Sequence, residues 1–532
     1  MKTVAKRPSF GIAIPAFALI LSGCTSNTTQ TANSTAGTAS DGPANQGTPA
    51  PRQDGNAAAG RDVFRFETFG NEGFWTDAVR LPAGVAAAKV TPLKALQLGL
   101  YVDVDAIDSE TQKNLIAQLK TDPSGNTSQL LNDPAMTTKL VKANAIIGMP
   151  TKGDKVGASC ALCHTITDAS IFQVPNAGSI GHRLDGRANH AIHMGAILAT
   201  AANSRAMYPM LQLTLKANGG KTFGRAPQGL TETSTEAEVD AYLSNPTYYP
   251  DGMFDDTFDG NGNPVHNTPL FRQDLAAPYD SGGTIAKLDN FSNIAFTALL
   301  DLTDLTTPGG RAFLHKLGGA AGDEIADNYV KVLAATGVKG YPFVKSSPNP
   351  NPGSEDAPLG IRVDNTKLLD LNAYLAGLQA PAGAQVDASS AAHGRELFRT
   401  VGCTGCHNVD QSKAVPGFIV EMKKIFPGDN PVILAQRTPP LNPVQDTPGN
   451  FFDDKMAVLN ASVRGEIRGI ALPLLLDLAR KPVFLHDNSV PSLDKLLDPE
   501  RGNTAPHPFY LSESKARADM VNFLKSLDTN KH

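Results

Sequence analysis

Cys160-Ala161-Leu162-Cys163-His164 recurs later in the chain as Cys403-Thr404-Gly405-Cys406-His407. Two cysteines separated by two residues, with histidine directly after, have the spacing of a haem c attachment site. Two thioether bonds join such cysteines to the haem vinyl groups. The two-residue gap lets both sulfurs reach one face of the ring, and the adjacent His rises to the iron as proximal ligand. The residues alone leave two other readings, a redox C-x-x-C pair and a zinc site. Zinc requires the two pairs to converge, and a redox pair does not explain a His in the same place twice. On the haem reading the cofactors are two covalently bound haems c. Cys160, Cys163, Cys403 and Cys406 attach them, and His164 and His407 are proximal ligands to iron.

Working outward, each motif is followed by a helical pattern. Met520, Phe523, Leu524 and Leu527 fall at i, i+3, i+4 and i+7, and Leu371, Tyr374, Leu375 and Leu378 repeat that spacing. Both predict amphipathic helices. Pro381 ends the earlier one. The stretch His393-Gly394-Arg395-Glu396-Leu397-Phe398 resembles the opening helix of a cytochrome c domain. The expected fold is mainly α, with two cytochrome c-type domains divided near residue 385, 61–385 and 386–532. The span from His164 to Leu371 is nearly twice that from His407 to Met520, so the first domain is enlarged by insertions. Thr235 and Glu238 suggest a capping box, and Asn293 to Leu302 reads as a buried helix. Ser346 to Leu359 reads as a Pro/Asn/Gly loop.

The N-terminus reads as a targeting segment. Lys2, Lys6 and Arg7 precede an apolar run from Phe10 to Leu21, too short for a comfortable membrane span. Leu21-Ser22-Gly23-Cys24 resembles a bacterial lipoprotein cleavage box. That makes 1–23 a signal peptide and Cys24 the lipidated residue, anchoring the chain to a membrane without spanning it. Thr25, rather than Asp, implies by resemblance an outer-membrane, periplasm-facing location. Residues 24–60 are rich in Ser, Thr, Asn, Gly and Pro and read as a flexible tether, with the globular part beginning near Arg61. Over the 532 residues, a net charge of −5 without any basic cluster excludes nucleic acid as the expected partner.

Two segments carry a wider resemblance. One is Ile180-Gly181-His182 with Gly186 and Asn189 after it. The other is Lys481-Pro482-Val483-Phe484-Leu485-His486 followed by Ser489-Val490-Pro491-Ser492-Leu493. Together with the paired motifs they resemble the bacterial di-haem cytochrome c peroxidase superfamily, which includes tryptophylquinone-forming di-haem enzymes and rubber oxygenases. The segment Phe69-Gly70-Asn71-Glu72-Gly73-Phe74-Trp75 looks like one found in uncharacterised bacterial members.

The resemblance implies His182 as a displaceable distal ligand, hence catalytic, at the first haem, with His190, His193 and an open position as alternatives. It implies His486 at the second haem, where Leu485 stands in place of the peroxidases' axial Met. Met422, Met456 and His507 are the other candidates there. Arg183 and Arg187 are candidates for pairing with haem propionates.

Expected partners are small redox proteins or other cytochromes, and the lipid membrane through Cys24. The implied function is a peroxidase-like oxidoreductase whose first haem reacts with peroxide or dioxygen while the second relays electrons. A membrane-tethered electron carrier is the alternative, and oxidative cleavage of an organic substrate by dioxygen a second one. Two features depart from the superfamily. Trp75, the sole tryptophan, precedes the first motif instead of following it, and Glu232, Glu236 and Glu238 are better read as surface charges than as a distal acid. Asp255-Asp256-Thr257-Phe258-Asp259-Gly260-Asn261-Gly262-Asn263 offers oxygen ligands for Ca²⁺ but lacks a closing bidentate Glu.

Overall fold

A computed structural model describes residues 55–211, 230–246, 251–254, 265–276, 279, 285, 287–349, 359–405, 407, 409, 419–420, 460–461, 466–467, 470–471, 473–485, 488, 490–502, 507 and 509–529. The signal segment, Cys24, the tether up to residue 54, the 255–263 stretch, Cys406, Met422, Met456 and His486 lie outside the described residues. So does 350–358, most of the expected Pro/Asn/Gly loop.

Helices dominate, as expected. The principal ones are α1 (Ala57–Phe66), α2 (Ser109–Thr121), α3 (Pro134–Lys142), α4 (Ala161–His164), α5 (Glu236–Leu243), α6 (Leu288–Ile294), α7 (Pro308–Gly318), α8 (Ala320–Ala335), α9 (Asn365–Gly377), α10 (Ala388–Thr400) and α11 (Ser514–Ser526). The described strands are only two or three residues long. Those that matter here are β1 (Val102–Asp103), β2 (Thr165–Thr167), β3 (Phe172–Gln173), β4 (Ser179–Gly181) and β5 (Arg183–Asp185). β4 pairs in parallel with β1 and antiparallel with β3, and β2 pairs antiparallel with β5.

Helix α1 begins earlier than the composition suggested. Asn56 caps it, accepting from the Ala58 and Ala59 amides, so folded chain starts several residues before Arg61. The Asn56 amide donates to Asp370 at 2.7 Å, which fixes that end onto α9.

The two helices read from the i, i+3, i+4, i+7 pattern are α9 and α11, burying Leu371 and Leu375 in one and Met520, Phe523 and Leu524 in the other. Each packs on an opening helix through a glycine. A Cβ on Gly60 in α1 would overlap the Asp370 carbonyl of α9, and a Cβ on Gly394 in α10 would overlap the Asp519 carbonyl of α11. The aromatic pair beside each crossing is also repeated: Phe64–Tyr374 and Phe398–Phe523, both with ring centroids 5.6 Å apart. The sequence beneath is Ala57-Ala58-Ala59-Gly60-Arg61-Asp62-Val63-Phe64-Arg65 in α1 and Ala391-Ala392-His393-Gly394-Arg395-Glu396-Leu397-Phe398-Arg399 in α10. One crossing geometry is thus built twice.

Between α1 and α9 in the chain lies a long stretch of short helices and strands. Its core gathers Trp75, Leu96, Ile146, Leu162, Ile180, Leu302 and Tyr329. Helix α5 carries the expected capping box, with both reciprocal bonds between Thr235 and Glu238 present. The expected single helix over 293–302 is instead α6, then a π-turn over Ala295–Leu299 and a 3-10 turn over Leu302–Thr306. Asp301 causes the break, because its carboxylate caps Thr303 and also accepts from the Phe343 and Val344 amides.

The segment joining α9 to α10 is pinned rather than loose. The Ala384 amide donates to the Lys525 carbonyl, the Gly383 amide to Asp528, and Arg480 to the Ala382 carbonyl. Among the described residues, no helix is long and apolar enough to cross a membrane.

Candidate haem-attachment sites

The first motif forms a single helical turn. Cys160 is the N-cap of α4, and the His164 amide donates to the Cys160 carbonyl at 3.1 Å. Close packing sets its position: a Cβ on Gly148, at φ +76°, would collide with the Leu162 backbone. Cys160 forms no disulfide, and burial pushes its thiol up to about 12.

The His164 ring is oriented by backbone. Its Nδ1 lies 2.9 Å from the Thr268 carbonyl oxygen, which can only accept, so the proton sits on Nδ1 and the Nε2 lone pair is left for a ligand role. Burial lowers its pKa to about 4, so the ring is neutral near pH 7. A carbonyl holding one imidazole nitrogen while the other is free is the arrangement an iron-bound His requires. The residues present therefore fit a covalently attached haem.

Asp185 ties this turn to the helix crossing. Its carboxylate, 3% exposed, accepts from Arg65 of α1 at 2.6 Å, Tyr374 of α9 at 2.7 Å and Thr165 at 3.0 Å. Burial and that carboxylate together raise the Tyr374 pKa.

His190, His266 and Lys481 gather near His164. The His190 and His266 rings stand 5.6 Å apart, edge to face. Lys481, from the far end of the sequence, donates to His266 Nε2 at 3.1 Å. Burial lowers the Lys481 pKa to about 8. Burial, and then the nearby Lys481 and His164, lower that of His190 to about 3. The His190 Nδ1 is buried without a partner among the described residues. Beside them Asp477 takes Arg480 at 2.6 Å and Arg187 at 3.5 Å, two cations on one carboxylate. Lys481 carries no sequence signal of this role, because only folding brings it to residues so distant in the chain.

The structure does not bring His182 to His164. The β2–β5 ladder sets Thr165 opposite Asp185 and Thr167 opposite Arg183, and the Asp168 amide donates to the His182 carbonyl. His182 is thus four residues along the ladder from His164, a run of roughly 13 Å. Its ring pairs with Asp105 at 3.0 Å, both side chains more than half exposed, and Asp105 raises its pKa. His193 caps a helix by accepting from the Ala196 amide. Arg183 is committed to Asp103 and to the Asn144 carbonyl. Trp75 donates to the Leu300 carbonyl at 3.1 Å within the first core. Glu236 accepts from the Ser204 amide and Glu238 from Thr235, so both serve the α5 region.

At the second motif, Cys403 opens a 3-10 turn over Cys403–Gly405, and the His407 amide donates to the Cys403 carbonyl at 2.9 Å. The His407 ring faces His507, centroids 6.2 Å apart and planes 54° apart. Phe398 flanks His407 at 6.4 Å and Phe509 flanks His507 at 5.2 Å. Burial lowers His407 to about 4, and burial with the neighbouring His407 lowers His507 to about 3.

The first motif borders two cores and Cys403 borders a third. Among the described residues no three His, Cys, Asp or Glu side chains are arranged to hold a bare metal ion.

No family model and no curated protein matches the chain. Among solved structures, a Kuenenia stuttgartiensis hydrazine synthase, pressurised with 20 bar xenon, aligns over 61% of this chain and 87% of its own, at 13% identity and a TM-score of 0.24. That similarity is too slight to assign fold or function.

Proposed function

We propose that this chain is a two-haem c-type cytochrome acting as an oxidoreductase, each half being a cytochrome c-type unit. The observation that carries this reading is the repeat itself. The same glycine-mediated helix crossing accompanies each C-x-x-C-H, once through Gly60 and Asp370 and once through Gly394 and Asp519. Cys160 and Cys163 would hold the first haem with His164, and Cys403 and Cys406 the second with His407. When bound, such groups supply one-electron chemistry, extending to reduction of peroxide or dioxygen where the sixth iron position is open or displaceable.

The chain's own residues favour placing reactivity at the first motif. The Thr268 carbonyl fixes the His164 tautomer, and Arg187 and Arg480, both against Asp477, supply positive charge suited to haem carboxylates. Lys481 and His266 are placed to hold or pass a proton across their 3.1 Å contact. Membership of the di-haem peroxidase superfamily, lipidation at Cys24, a periplasm-facing outer-membrane location and small redox-protein partners belong to this proposal.

A second reading, a pure electron carrier, draws on His190 and His266. Buried imidazoles near His164 offer a sixth ligand that would close the first iron. Intact mass tests the cofactor, and EPR with and without peroxide tests the chemistry. The expected result is the added mass of two haems and one ferric signal that responds to peroxide on half-reduction. Two low-spin signals that never respond would leave the electron carrier, and a chain without covalent haem would overturn both.

A further inference from the structure

We propose that His507 is the second axial ligand of the haem at Cys403-Thr404-Gly405-Cys406-His407. This rests on the two-haem reading and goes beyond it by assigning a ligand.

The spacing carries the assignment. Two imidazoles bound to one metal from opposite sides have centroids about 6.3 Å apart, from bonds of about 2.0 Å and ring radii of about 1.1–1.2 Å on each side. The His407 and His507 centroids are 6.2 Å apart. Ordinary aromatic packing also reaches this distance, so a second observation is needed. Both rings carry a buried Nδ1 with no hydrogen-bond partner among the described residues. Buried polar atoms are bonded in nearly all cases, so neither imidazole is spent on a structural hydrogen bond through Nδ1, unlike His193 and His393. A third observation is strain. His507 adopts φ +55°, a left-handed conformation that is uncommon outside glycine and clusters at functional sites. Phe398 and Phe509 wall the pair on either side.

The test uses the full-length, haem-loaded protein. Intact mass first establishes two haems, and their absence would overturn the two-haem reading and this proposal with it. With both present, ferric EPR of His507→Gly is expected to show one additional high-spin centre that returns to low spin on adding imidazole. His486→Gly is expected to leave both signals as in the parent. His507→Met is expected to stay low-spin with the potential of one haem raised, because thioether replaces imidazole. Unchanged low-spin signals in His507→Gly would overturn the assignment. So would conversion by His486→Gly alone. Should His507→Gly lose its haem, an unchanged potential in His507→Met would overturn it.

Discussion

Gly60 meets the carbonyl of Asp370 with no room for a Cβ, and Gly394 meets Asp519 in the same way. Gly60→Ala and Gly394→Ala should each cost about 1–3 kcal/mol, since overpacking a helix contact displaces backbone. Thermal denaturation of the single variants checks this. Equal stability to the parent would mean that the crossing is not tight.

Asp185 joins α1, α9 and the strand after His164 through one carboxylate. Asp185→Ala should lower stability by roughly 2–4 kcal/mol, because it strands the partly buried Arg65 and removes the acceptor of Tyr374. Chemical denaturation measures the loss. A change below about 0.5 kcal/mol, the level of an ordinary surface substitution, would show the cluster to be dispensable.

Asp304 gives a pH dependence of definite sign. Burial, and then the neighbouring Asp301, raise its pKa from 3.8 to about 8, and its Oδ2 is buried without a partner among the described residues. The folded state holds that proton where the unfolded chain releases it, so this group's contribution to stability falls as pH rises from about 4 to about 8. Asp304→Asn should flatten the pH profile and stabilise the protein by roughly 1–3 kcal/mol at pH 8. Denaturation midpoints at pH 5 and pH 8 decide it, and a variant no more stable than the parent at pH 8 contradicts it.

His182 points to solvent beside Asp105. His182→Ala should therefore leave the visible spectrum and spin states of the loaded protein unaltered, whereas His190→Ala should perturb the first haem's. A spin-state change in His182→Ala would return that residue to the iron.

Local chemistry explains what was legible in the sequence. A C-x-x-C-H motif occupies five consecutive residues, and amphipathic helices repeat within two turns, so Cys160–His164, Cys403–His407, α9 and α11 can be read from short windows. The Thr235–Glu238 capping box is local in the same sense. The α1 repeat was also present as text, in Gly60-Arg61 and Gly394-Arg395 with Phe four residues after each Gly, but the Ser/Thr/Gly-rich run before it masked its start.

The sequence by itself determined the mainly helical class, the two C-x-x-C-H motifs and the neighbouring residue types. Only the tertiary structure decided which histidines meet. A short strand ladder carries His182 away from His164 even though the two are close in sequence. Non-local packing brings Lys481 to His266, Thr268 to His164 and His507 to His407. Ligand and proton partners are set by distances of a few ångströms between remote segments, and no periodicity within a single segment encodes those distances.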